Sequence, residues 1–404
     1  MNKKAFKTFL VSIELVLLRL GSLVGRSSVR VPEFPLADED LPVMTTADGI
    51  EYVQTPDEFF AGLPDWPYEA QYVVIDGLRQ AYFDVGDKDG EPILLLHGQP
   101  SWSYLYRHMI PGLVGAGYRV IAMDHLGMGR SDKPIDLDYH SYANHVYRLE
   151  RFIEELELTH ITAFVQDWGS LIGLNVIGNH PERFARVVVG DGTLPQFAEG
   201  EIPFPLPEDV DRAIKTFSKT IGRIPAQQPE FYTEDGQLKP LIARQSGGTE
   251  QRAEYFANWI LFARHNEDFR ASTILEAMTY FPLAAEVKAA YDAPFPARIS
   301  MAAPRTFPGL ANELGGATES AWVGLESFEK PFLTIWAAND PGQLGRPETQ
   351  QLLIDRVPGA QGQPHTRLAQ ASHFLQDDQG AEIARWMIDF IAVNPVVRGE
   401  SSED

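Results

Sequence analysis

The 404-residue sequence contains no cysteine, which removes disulfides, thiol nucleophiles and cysteine-ligated metal sites together while leaving the redox compartment open. Positive charge is scarce: 34 Lys and Arg stand against 56 Asp and Glu, a formal net charge of −22. Binding to phosphate backbones or anionic membranes needs a basic footprint. A nucleic-acid partner is therefore not expected, and an uncharged or apolar small molecule fits better. A long uninterrupted apolar run is also missing. The nearest to one, Phe9 to Val24, carries Glu14 and Arg19, charges that a clean transmembrane helix would lack. Phe6, Leu10, Ile13, Leu17 and Leu20 recur at helical spacing. Residues 1–25 therefore read as an amphipathic helix, resting on the protein or in peripheral contact with a membrane, or as a targeting segment without a convincing cleavage site. A cytoplasmic location is expected, with membrane association or export through this segment as the alternative. Ser27 to Thr46, acidic and proline-rich, reads as a linker.

What is present is a regular alternation. Tyr72 to Ile75 and Arg79 to Val85 read as two strands joined by a turn at Asp76-Gly77. Short apolar runs follow at Ile93 to Leu96, Arg119 to Met123, Ile161 to Val165, Ala185 to Gly190 and Pro331 to Ala337. Helical stretches such as Tyr142 to Leu156 separate them, the pattern of a mostly parallel sheet flanked by helices. From Thr193 to Glu329 the strand series stops, and helix-forming runs such as Glu250 to His265 take over. The expected organisation is an α/β fold in two core parts, 51–192 and 330–398, around an inserted helical cap at 193–329. An N-terminal segment over 1–50 and an acidic tail over 399–404 complete it.

The chemistry-bearing motifs lie at strand ends. Val165-Gln166-Asp167-Trp168-Gly169-Ser170 follows a buried strand and opens a helix, the setting of a nucleophile elbow. Asp167 stands where a serine is usual, and Val165 replaces the first glycine. An aspartate here could be only a helix cap, so the other motifs matter. Leu96-His97-Gly98-Gln99-Pro100 ends an earlier strand with a glycine turn. The backbone N–H groups of Gln99 and Trp168 are therefore candidate oxyanion-hole donors. Asn339-Asp340-Pro341 follows a later strand, and Ala371-Ser372-His373-Phe374 precedes the last helix. Nucleophile, acid, histidine is the chain order of an α/β-hydrolase fold. Asp167, Asp340 and His373 are thus the candidate triad, with Asp191, after the preceding strand, as the alternative acid. No ligand-spaced cluster points to a metal or an organic cofactor.

At these motifs the sequence resembles the haloalkane dehalogenases, in particular those whose acid follows the strand after the cap. The resemblance is carried by His97 to Arg107 (HGQPSWSYLYR), Asp124 to Pro134 (DHLGMGRSDKP), Val165 to Gly169 (VQDWG), Thr55 through Tyr68, and Ala293 to Pro296. It spans roughly residues 54–395. It implies an α/β-hydrolase fold with a helical cap and no cofactor. The partners it implies are a small halogenated hydrocarbon, water and the released halide. Asp167 would attack the carbon bearing the halogen, and His373, oriented by Asp340, would activate water against the resulting ester. Indole N–H groups donate without accepting, so the resemblance assigns the halide to Trp168 and to a cap tryptophan, Trp259. Gln99 stands where such enzymes usually carry glutamate or asparagine, and its side chain would either help hold the halide or support its loop. Ser170, in place of a second glycine, is expected only to tighten helix packing slightly. The competing readings are an epoxide hydrolase using cap tyrosines such as Tyr255, Tyr280 and Tyr291, and a catalytically silent binding protein of the same fold.

Overall fold

A computed structural model of the chain describes residues 36–221, 249–340, 342 and 344–396. The apolar segment Phe9 to Val24 and the acidic tail lie outside these residues. No helix among the described residues is long and apolar enough to cross a membrane.

The first described residues do not behave as a linker. Leu36 donates its N–H to the Pro296 carbonyl at 3.1 Å, and Asp38 accepts the Ile299 N–H at 2.7 Å. Leu41 is buried with Val53 and Ala297 in a small core of its own. The linker expectation is corrected for this stretch: a buried apolar side chain, one backbone bond and one bond to the Asp38 carboxylate fasten it to the insertion. Strands β1 (Met44–Thr45) and β2 (Glu51–Val53) pair antiparallel there.

The central sheet begins with β3 (Gln71–Ile75) and β4 (Leu78–Val85), paired with Ile75 opposite Leu78. Asp76 and Gly77 between them have φ of 48° and 75°, the left-handed geometry a two-residue hairpin turn requires. The parallel strands follow: β5 (Pro92–Leu96) and β6 (Arg119–Met123), then, past a two-residue strand β7 (Lys133–Pro134) that pairs with β2, β8 (Ile161–Gln166) and β9 (Phe184–Gly190). After the insertion come β10 (Phe332–Ala337) and β11 (Thr366–Leu368). The eight strands lie in the order β11-β10-β9-β8-β5-β6-β4-β3, parallel except at β4 and β3. Every residue of β8 and β10 is buried. This is why both read as unbroken apolar runs rather than alternating ones.

Helices α1 (Ile110–Gly115), α2 (Tyr142–Glu155) and α3 (Trp168–Asn179) connect the first parallel strands. Ser141 caps α2 by accepting the Asn144 N–H at 3.2 Å, and its buried positions Tyr142, His145, Leu149, Phe152 and Ile153 keep helical spacing. The insertion between β9 and β10 carries α4 (Val210–Ile221), α5 (Thr249–His265), α6 (Ala271–Ala277), α7 (Ala285–Asp292), α8 (Ala302–Thr306) and α9 (Glu319–Leu325). Helices α10 (Pro347–Arg356) and α11 (Leu375–Val393) close the chain. In open parallel sheets the functional crevice lies beyond the carboxyl ends of the strands. Here those ends lead into His97, Asp167, Asp191 and Asp340.

Behind that crevice lie four buried histidines. The rings of His97 and His125 meet edge-on at 4.7 Å, and those of His140 and His145 stack at 5.5 Å. Burial pushes His97 and His140 down to about 4 and His125 and His145 well below the ordinary value. An unfolded chain takes up protons on these rings near pH 6.5 while the native one does not, so their contribution is complete above about pH 6.5, and that of His97 and His140 is lost as pH falls through about 4. Urea unfolding followed across this range is expected to show the midpoint falling with pH. His140→Gln should make that fall shallower.

Candidate active site

Asp167 occupies the turn between β8 and α3 with φ 50° and ψ −129°, a backbone conformation that costs a non-glycine residue on the order of 1–3 kcal/mol. The surroundings hold it there. The Asp167 N–H donates to the Asp191 carbonyl at 3.3 Å, and the Asp167 carbonyl accepts from the Ser170 N–H at 2.8 Å and the Ser170 hydroxyl at 2.6 Å. Ser170 Oγ also accepts the Thr193 N–H at 2.9 Å. Ser170 therefore does more than tighten the helix, correcting the sequence expectation: it ties the elbow to the loop after β9. A Cβ on Gly98 would lie 2.2 Å from Asp167 Oδ1, and one on Gly169 would lie 2.0 Å from the Leu96 carbonyl oxygen. Both turns close only because these positions lack a side chain.

The carboxylate of Asp167 reaches two partners. Its Oδ1 accepts the Gln99 backbone N–H at 2.8 Å, and its Oδ2 lies 3.3 Å from His373 Nε2. The other ring nitrogen, Nδ1, lies 2.8 Å from Asp340 Oδ2. Asp340 Oδ1 in turn accepts the Gly342 N–H at 2.5 Å. The loops bearing the acid and the histidine are laced together by Asn339 N–H to the Ala371 carbonyl at 3.0 Å and Ser372 Oγ to the Asn339 carbonyl at 3.2 Å. Burial alone would lower the His373 pKa. The charges of Asp340 and Asp167 and the bonds to them outweigh burial and hold it well above the ordinary histidine value. The two carboxylates thus favour the protonated form of the imidazole.

The structure brings Asp167, Asp340, His373, Trp168 and the Gln99 backbone together, and it places Asp340 rather than Asp191 on His373 Nδ1. Trp168, the first residue of α3, has one of the helix-start N–H groups without an intrahelical partner. Its indole stands edge-on to Phe307 at 5.4 Å, and among the described residues its Nε1 donates no hydrogen bond. The Gln99 side chain turns aside: its Nε2 donates to the Pro304 carbonyl at 2.6 Å, fastening the loop to α8. Trp259 stacks on Phe217 at 5.0 Å and Phe262 at 5.9 Å and meets Phe269 at 6.0 Å, an aromatic cluster within the insertion. None of these ring contacts is with Trp168.

Two supporting residues were not singled out by the sequence. Gln166 donates Nε2 to the His373 carbonyl at 3.0 Å, fixing the segment that carries the histidine. Asp124, within the DHLGMGRSDKP motif, accepts the Ser103 and Arg130 N–H groups at 2.8 Å each. That motif is therefore a brace for the loop after Gln99. Among the described residues, the one trio of potential metal ligands is Asp191, Asp340 and His373. Both nitrogens of His373 already face carboxylates, so a metal there would dismantle the pairings just described. An open groove of about 660 Å³ beside Arg107, His108, Asp377 and Arg385 shares no lining residue with the triad.

The fold and this constellation define the class: the chain belongs to the α/β hydrolase fold family, whose profile matches residues 91–376. Within it, the chain belongs to the haloalkane dehalogenases. It is 34% identical to a haloalkane dehalogenase of Psychrobacter cryohalolentis over 86% of this chain and all of that protein. It is 38% identical to one of Mycobacterium marinum over 84% of this chain and all of that protein. The solved tetrameric haloalkane dehalogenase of Paraglaciecola agarilytica superposes with a TM-score of 0.62 at 28% identity, covering 83% of this chain and 97% of that one.

Gly169→Ala is expected to destabilise the fold by about 3 kcal/mol or more, since an added Cβ against a backbone carbonyl in a packed core has nowhere to move. Urea unfolding measures it.

Proposed function

We propose that the chain hydrolyses haloalkanes to an alcohol and halide through a covalent ester of Asp167. The observation that carries the reading is the His373 imidazole between Asp167 and Asp340, with the Gln99 amide on the far oxygen of the nucleophile. A carboxylate attacking a carboxylic ester would give an anhydride, a poor intermediate, whereas attack on saturated carbon gives a stable alkyl ester. Asp167 Oδ2 forms the bond to carbon as the carbon–halogen bond breaks, and the halide leaves with the electron pair. The Nε1 of Trp168, which donates no hydrogen bond among the described residues, is the donor assigned to it. Residues 193–329 form the cap over this site. Within it Trp259, whose ring packs in the aromatic cluster, is the second N–H donor assigned to the halide.

Ester formation removes one of the two negative charges that face His373. Its pKa then falls, and the proton it held passes to solvent. The neutral imidazole takes a proton at Nε2 from water as that water attacks the Asp167 carboxyl carbon. Negative charge gathers on Oδ1, where the Gln99 and Trp168 N–H groups receive it. Collapse expels the alkoxide, which recovers a proton from His373; Asp167 keeps an oxygen from water, and the proton on that oxygen passes to His373, restoring the starting pair. The sum is haloalkane plus water to alcohol, halide and one proton.

Incubation with 1,2-dibromoethane, 1-bromobutane and styrene oxide, following bromide and diol separately, is expected to show bromide release. Diol formation with no bromide from either substrate would replace this reading with an epoxide hydrolase. Asp167→Asn should abolish turnover, and His373→Gln should accumulate an intact-mass adduct of one alkyl group on Asp167. Trp259→Phe should lower bromide release by about tenfold or more, as expected when a donor to the leaving halide is removed.

A further inference from the structure

Asp191 takes no part in the steps above, yet its carboxyl group is completely buried beside them. One oxygen each of Asp191 and Asp340 and one nitrogen of His373 lie within 4.8 Å of one another. Two carboxyl groups confined together without solvent do not both ionise, and one retains a proton. The donors decide which. Asp340 has His373 on one oxygen and the Gly342 N–H on the other. Asp191 has only the Ala337 N–H, on Oδ1 at 2.8 Å, while its Oδ2 is buried with no donor.

Other enclosed carboxylates in the molecule are furnished differently. Asp124 receives the Ser103 and Arg130 amides on separate oxygens and has Lys133 nearby. Asp378 receives the amides of Tyr280, Phe281 and Ser372. The groups facing Asp191 are Asp340, from the loop after β10, His373, before α11, and Arg367, on β11. Burial first and Asp340 second hold its carboxyl well above the usual range, against the pull of His373 and Arg367.

We infer that Asp191 is a positioning residue that stays a neutral carboxylic acid, shares one proton with Asp340, and so limits how firmly Asp340 holds the His373 proton. This rests on the reading of Asp340 and His373 as acid and base. With the proton on Asp191, the buried pair carries a single negative charge beside the imidazole. An ionised Asp191 would instead add a second anion beside the imidazole, which would then keep its proton even after Asp167 is esterified. The ester would not be cleared.

The test is the ring titration of His373 by nuclear magnetic resonance in the full chain, its signal assigned by its loss in His373→Gln. It needs no turnover, so failure of haloalkane hydrolysis would not be confused with failure of this inference. Asp191→Asn exchanges one neutral group for another and should leave the His373 midpoint within about 0.3 pH unit, and Asp191→Ala, which also removes no charge, should not lower it by as much as one unit. A midpoint that drops by about one unit or more in Asp191→Asn would mean that a buried negative charge had been removed, and would overturn the proposal. Should either variant fail to fold, the wild-type chain still decides. With isotope-labelled aspartate carboxyls, its infrared spectrum at about pH 8 should contain a carboxylic-acid stretch, since ordinary aspartates are ionised there. Its absence would overturn the proposal equally.

Discussion

An imidazole held 3.3 Å from one carboxylate and 2.8 Å from another is the arrangement on which the rest of the structure depends. The three side chains come from three loops, after β8, after β10 and before α11. Their meeting is a consequence of sheet order, with β9 alone separating the strands that deliver Asp167 and Asp340. Electrostatically the arrangement is a switch driven by chemistry. The two carboxyl groups that flank the imidazole favour its protonated form. In the proposed mechanism, esterification of Asp167 removes one anion and turns the imidazole into a base. No conformational change is needed for that exchange of roles.

The elbow that presents Asp167 is held by several modest terms rather than one large one. A cost on the order of 1–3 kcal/mol for its backbone geometry is offset by bonds from Ser170 and to Asp191, each worth about 1 kcal/mol net. Gly98 and Gly169 let two backbones approach where any side chain would collide. The Gln99 side chain adds a link to the insertion through the Pro304 carbonyl. Core and insertion are therefore joined at the residue whose backbone N–H faces the nucleophile.

The central strands were legible because burial on both faces leaves continuous apolar runs: Arg119–Met123 has the same bounds in sequence and structure. The triad was legible because its members sit at strand ends in a fixed chain order. Three features were hidden, each for a physical reason. The edge strand Thr366–Leu368 is short and polar, so it carries no periodicity. The attachment of Leu36 to Leu41 depends on Pro296 and Ile299, more than 250 residues away, and composition alone made that stretch look like a linker. The aromatic surroundings of Trp259 are set by Phe217, Phe262 and Phe269, contacts that spacing within one helix does not reveal. The roles of Ser170 and Gln166 were hidden in the same way, since each acts on a partner from a distant loop.

The account stands on the covalent ester of Asp167, and a single turnover in water labelled with heavy oxygen tests it most directly. With enzyme in excess over 1-bromobutane, the account predicts unlabelled alcohol and one labelled oxygen in the peptide containing Asp167. Labelled alcohol with an unlabelled Asp167 would mean that water attacks the substrate carbon directly, and would contradict it.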